Sequence, residues 1–87
     1  MAKKTVELGL HAPGAKRVSL AGNFNNWDAS SLLGKKDRKG NWSVSVSLNP
    51  GKYEYKFVVD GSWIGDPACK SCVPNSFGTS NCVLVVK

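Results

Sequence analysis

Residues 42–63, WSVSVSLNPGKYEYKFVVDGSW, leave this chain little choice of fold. Trp42, Val44, Val46 and Leu48 alternate with Ser43, Ser45 and Ser47. Past a turn at Asn49-Pro50-Gly51, Tyr53, Tyr55, Phe57 and Val59 alternate with Glu54, Lys56, Val58 and Asp60. Successive side chains of a strand point to opposite faces, so a period of two is the pattern of a half-buried strand. The first strand has an apolar face and a serine face. The second has an aromatic face and an opposite face that carries Lys56. Asp60-Gly61 suits a hairpin turn, since Gly takes positive φ freely and Asp tolerates it better than most residues. Trp63 follows at the rim of the sheet, beside Lys56.

The flanking segments read the same way. In residues 5–11, Val6, Leu8 and Leu10 face one side, and an Ala-Pro-Gly-Ala turn follows at 12–15. Residues 16–21 form a second strand with Val18 and Leu20 inward. GNFNNWD at 22–28 is a loop, and 30–34 is irregular, with Leu32 or Leu33 plugging the core. Residues 35–41 form a charged turn with Lys35, Lys36, Arg38 and Lys39, while 64–76 is irregular and broken by Pro67 and Pro74. The β-branched run at 82–86 fits a buried closing strand. No helix-period segment of useful length occurs. Short strands separated by Gly, Pro and Asn turns argue for an all-β fold, an antiparallel β-sandwich. At 87 residues the chain reads as one small domain, 1–87, with its core at about 5–86.

Several classes of function are disfavoured. The net charge of +6 comes from dispersed basic residues and by itself implies only weak attraction to anions, so neither nucleic acid nor membrane is expected as a partner. No apolar run reaches about 18 residues. The start, Met1-Ala2-Lys3-Lys4, carries the charge of a signal peptide without its apolar segment, so the chain reads as intracellular and cytoplasmic. Three cysteines, Cys69, Cys72 and Cys82, make an odd count that argues against a complete disulfide framework. Cys69 and Cys72 form a CxxC that reads first as structural thiols, then as a redox-dependent disulfide, and last as a metal site. Cys82 is expected to pack. A zinc site wants four ligands, and the only histidine, His11, is far away in sequence. His11 reads as a solvent-facing residue at a strand end. Glu7 and Glu54 lie on exposed strand faces, and Asp28, Asp37 and Asp60 lie in turns, so no carboxylate pair for glycoside cleavage is visible. No catalytic activity, cofactor or metal is expected.

Aromatics, amides and one lysine remain, placed at loop and strand ends. Trp42 lies on the inward phase of a strand and reads as core. Trp27 and Trp63 each follow a polar, turn-forming run, where burial is less natural. An indole covers the C–H face of a pyranose ring, and removing roughly 50–100 Å² from water contributes about 1–2 kcal/mol. The sugar's hydroxyls need donors and acceptors, which an amide such as Asn81 supplies and to which Lys56 adds donors. Two offset indoles suit a curved glucan chain better than a flat ribbon.

In order, GNFNNWD, KGNWSVSV, PGKYEYKFVVDGSW and FGTSN resemble the glycogen- and starch-binding modules. These occur at the N-terminus of isoamylases and glycogen branching enzymes and on the β subunit of AMP-activated protein kinase. The resemblance covers residues 6–86, with an opening similar to the enzyme-attached members and an ending similar to the kinase type. It implies an immunoglobulin-like β-sandwich that binds α-1,4-glucans (glycogen, starch, maltooligosaccharides) without catalysis. It implies carbohydrate contacts by Trp27 and Trp63 through stacking, by Lys56, Thr79 and Asn81 through hydrogen bonds, and by Phe77 through insertion into a cyclic glucan. The CKSC segment departs from the kinase type. The rival expectation is a protein-interaction or scaffolding domain that packs on a glycoside hydrolase, a branching enzyme or a kinase and binds no sugar.

Overall fold

The structure, a computed structural model, describes residues 3–67, 69, 71–76 and 78–87. Its strands are β1 (Lys4–His11), β2 (Val18–Gly22), β3 (Lys35–Lys36), β4 (Asn41–Leu48), β5 (Gly51–Val59), β6 (Ser62–Ile64), β7 (Cys72–Pro74) and β8 (Ser80–Val86). They form two antiparallel sheets. One has the order β1-β4-β3, and the other has the order β2-β5-β8-β7 with β6 also on β5. β5 is the central strand of the larger sheet. β2 runs along one edge, while β8 covers its first half on the other edge, from Gly51 to Tyr55, and β6 its last part, from Phe57 to Val59. This is the expected β-sandwich.

The inward phases meet as their alternation dictates. Leu10 of β1, Val18 and Leu20 of β2, Trp42 and Val44 of β4, Tyr55 and Phe57 of β5, and Cys82 of β8 form the buried core. Trp42 is core, as read from its strand phase, and its Nε1–H donates to the Ala12 carbonyl at 2.9 Å. Tyr55 and Phe57 meet edge to face, with centroids 6.2 Å apart, a favoured aromatic geometry. Of the two leucine candidates, Leu32 packs on the core, while Leu33 is 54% exposed.

Three expectations are corrected. Residues 35–41 are not wholly a turn: Lys35 and Lys36 pair with Ser43 and Trp42 as the short edge strand β3. Residues 64–76 are not wholly irregular, since Cys72–Pro74 pair with β8 as β7. Cys69 bonds neither to Cys72 nor stays a thiol; it forms a disulfide with Cys82, their Cα atoms 6.0 Å apart, and Cys72 is the free, exposed cysteine. The reason lies in the strand phase: Cys82 sits opposite Tyr55 and is buried in the core, where Cys69 also packs. His11 is exposed, as expected, and its Nδ1 lies 2.8 Å from Asn41 Oδ1. Among the described residues, no His, Cys, Asp or Glu group is arranged to hold a metal, and no helix is long and apolar enough to cross a membrane.

Candidate functional site

The outward phase of the larger sheet carries the site. Glu54, Lys56 and Val58 alternate with the core residues of β5, and register extends their face sideways: Val58 pairs with Trp63, Lys56 with Ala21, and Glu54 with Val83. Asn81, two residues before Val83 on β8, shares that face. The turn that presents Trp63 is Asp60-Gly61, with φ of 47° and 86°. Positive φ at both central residues is the type I′ hairpin expected of Asp-Gly. The Asp60 carboxylate anchors the turn by accepting from the backbone N–H groups of Lys16 at 3.0 Å and Arg17 at 2.8 Å.

Trp27 arrives from the 22–28 loop, which Asn25 organises. The Asn25 side chain accepts from Gly22 N at 3.0 Å and donates to Leu20 O, Asp28 O and Ser31 Oγ. Trp27 N–H donates to Gly22 O at 2.8 Å. Asn26 and Trp27 both have φ of 57°, a left-handed backbone that is strained for a bulky residue and persists only where surroundings impose it. Gly22 is required by crowding: a Cβ there would lie 2.5 Å from Glu54 O and from the Phe24 ring. The loop is tied to β5 through Asn23, whose N–H donates to Glu54 O at 3.1 Å and whose Oδ1 accepts from Glu54 N at 3.2 Å.

The two indoles meet across a cleft, their centroids 6.5 Å apart and their planes tilted by 40°. Trp63 is 45% exposed and Trp27 is half-buried. The cleft is about 910 Å³ and open, and Lys56, Thr79 and Asn81 line it together with both tryptophans. Lys56 is buried to its ammonium, which donates to Thr79 Oγ1 at 2.8 Å. Asn75 Nδ2 donates to Thr79 Oγ1 at 2.8 Å and to Asn81 Oδ1 at 2.9 Å, and Asn81 Nδ2 donates to Glu54 Oε1 at 3.2 Å. A hydrogen-bonded floor therefore lies beneath an aromatic wall.

Five of the six residues singled out in the sequence, Trp27, Lys56, Trp63, Thr79 and Asn81, come together here. Phe77 lies outside the described residues. Sequence reasoning missed Asn23, Glu54, Asn75 and Ser76, which also line the cleft. Glu54, expected on an exposed strand face, is half-buried and hydrogen-bonded. The signal for it was present, because Glu54 shares the strand phase of Lys56.

A β-sandwich with an aromatic-walled, polar-floored cleft on an outer sheet face has the make-up of a sugar-recognising module. The chain belongs to the family described as the glycogen recognition site of AMP-activated protein kinase, whose model matches residues 9–87. It is 40% identical over 72 residues to Protein PTST homolog 2, chloroplastic, of Arabidopsis thaliana, covering 83% of this chain and 13% of that protein. It is 38% identical over 74 residues to the 5'-AMP-activated protein kinase subunit beta-1 of Sus scrofa, covering 85% of this chain and 57% of that one. The crystal structure of a maltogenic amylase from S. marinus matches at a TM-score of 0.78 and 28% identity, covering 98% of this chain and 14% of the amylase. The chain thus spans from 13% to 57% of the length of these proteins.

Proposed function

We propose that residues 1–87 act as one non-catalytic module that holds α-1,4-glucans (glycogen, starch-like polymer or maltooligosaccharides) in the Trp27–Trp63 cleft. The observation that carries this reading is the tilted indole pair over a polar floor. Two planes at 40° fit successive glucose units of a curved chain, each C–H face covered by one ring. Lys56 and Thr79 donate to hydroxyls, Asn81 completes the floor, and Phe77 supplies the further apolar contact that the resemblance implies. The cleft binds and does not cut: glycoside hydrolysis needs two carboxyl groups, about 5–10 Å apart across the scissile bond. Among the described residues, Glu54 is the single carboxylate lining the cleft. The site is open and exchanges ordered water for sugar hydroxyls, so affinity for short oligosaccharides is modest. A longer enzyme or kinase-associated polypeptide is the host we assign to the module, with the glucan as its ligand.

Replacing Trp63 by alanine tests the site. The side chain is exposed and outside the core, so Trp63→Ala keeps the fold while retention on a glycogen or amylose matrix weakens at least tenfold, a loss of about 1.4 kcal/mol. Unchanged retention would sink the assignment. In a maltoheptaose titration followed by indole N–H shifts, Trp27 and Trp63 move and Trp42 stays, because Trp42 Nε1 is bonded to Ala12 O inside the sandwich.

A further inference from the structure

The hydrogen-bonding groups of the cleft are unevenly divided between donors and acceptors. Thr79 Oγ1 already accepts from Lys56 Nζ and from Asn75 Nδ2, which fills both lone pairs and leaves its O–H to donate. Asn75 Nδ2 directs its two hydrogens at Thr79 and Asn81, and Asn75 Oδ1 accepts from Thr79 N at 3.1 Å. Asn81 accepts from Asn75 and donates to Glu54, with one N–H in reserve. Lys56 retains two ammonium hydrogens, and both indoles carry only an N–H. Among Lys56, Thr79, Asn75 and Asn81, what stays open to a ligand is thus mostly donor.

A glucose hydroxyl both donates and accepts. Those four residues satisfy its oxygen, and its hydrogen needs an acceptor from elsewhere in the cleft once water is expelled, or costs about as much as a lost hydrogen bond. Glu54 is the anionic acceptor among the described lining residues. Its Oε1 accepts from Asn81 Nδ2 at 3.2 Å, and its Oε2 accepts nothing from the described residues. Glu54 lies two residues from Lys56 on the same face of β5, about 7 Å along the strand. The bond that Lys56 Nζ makes goes to Thr79 instead of this carboxylate. The ammonium and the carboxylate are bonded to Thr79 and Asn81 and not to each other, so both keep capacity for neighbouring hydroxyls of one pyranose ring. One hydroxyl accepts from Lys56 and the other donates to Glu54.

The geometry points to Glu54 as a further ligand-binding and specificity residue: the anionic acceptor, working with Lys56 as donor, for a pair of adjacent glucose hydroxyls. This rests on the glucan reading of the same cleft. It makes recognition depend on hydroxyl hydrogens as well as on ring stacking, so a ligand whose hydroxyls cannot donate is discriminated against.

Glu54→Gln is the informative variant. Glutamine keeps the shape and still accepts from Asn81 Nδ2, but it loses the anion and gains a competing donor. Wild type and Glu54→Gln are titrated by calorimetry with maltoheptaose, β-cyclodextrin, and β-cyclodextrin methylated at the 2- and 3-hydroxyls or at the 6-hydroxyls. Thermal midpoints and the saturating change in tryptophan fluorescence check that fold and stacking persist. The inference expects Glu54→Gln to bind maltoheptaose about tenfold more weakly, in line with the strength of charge-assisted hydrogen bonds. It also expects the wild type's penalty against one methylated ligand to shrink by a similar factor in the variant. Equal affinity of wild type and variant for maltoheptaose overturns the inference and leaves the glucan reading standing. A weakened variant that penalises every methylated ligand as the wild type does also overturns it, since Glu54 would then act through Asn81 alone. If the wild type binds neither maltoheptaose nor β-cyclodextrin, the glucan reading itself falls and takes this one with it.

Discussion

Tyr55 illustrates how one side chain can commit the core to a narrow chemistry. Its ring lies among the buried apolar residues and its hydroxyl donates to Asp66 Oδ2 at 2.6 Å. Burial pushes its ionisation well above the usual 10.0, and the Asp66 carboxylate, as hydrogen-bond acceptor and as negative charge, pushes it further. The unfolded phenol ionises at about 10, so above that pH the unfolded state holds fewer protons than the native one. Stability from this group is therefore full below pH 10 and falls as pH rises past it. Urea midpoints of the wild type should decline between pH 9 and pH 11 more steeply than those of Tyr55→Phe. At neutral pH, Tyr55→Phe should cost about 1.5–3 kcal/mol through the lost bond to a carboxylate. The alternation of residues 53–59 made the burial of Tyr55 legible, but its partner was not, because Asp66 comes from a segment without a period. The same holds for Trp27. Its place after GNFNN marked it as a loop residue, whereas its left-handed backbone depends on the four bonds of Asn25.

At the scale of elements, the long strands were legible and the short ones were not. β1, β4, β5 and β8 each run seven to nine residues, long enough for alternation to identify them. β3, β6 and β7 have two or three residues, too few to show any period, and they exist because a neighbouring strand offers free N–H and C=O groups. The disulfide was hidden for a related reason. Spacing drew attention to Cys69 and Cys72, but the bond depends on which cysteine faces inward from β8, and that is Cys82. The bridge closes a 13-residue separation that contains β7, and a loop of that size contributes about 3 kcal/mol by restricting the unfolded chain. Reduction, or Cys69→Ser, should lower the urea stability by roughly that amount. Peptide mapping of the oxidised protein should recover a Cys69–Cys82 linked pair and alkylation at Cys72 alone.

Over the whole molecule, the net charge has no counterpart on the proposed ligand. The chain carries +6, yet a glucan is uncharged, and the attraction expected in the cleft comes from stacked rings and hydrogen bonds. Raising NaCl from 50 to 500 mM should therefore change the maltoheptaose dissociation constant by less than about twofold, since screening acts on exposed charge pairs. Binding to a phosphate backbone would lose orders of magnitude over the same range. A retention assay on glycogen resin across that salt range distinguishes the two behaviours. β5 joins fold and cleft, since Tyr55 and Phe57 build the interior while Glu54 and Lys56, alternating with them, face the cleft. A slip of one residue in its pairing would turn both aromatics to solvent and drive a carboxylate and an ammonium into the sandwich. Recognition and correct assembly thus share a single parity. A glucan resin would act as a proofreader of this chain, retaining molecules whose strands have found their partners and letting the misaligned ones wash through.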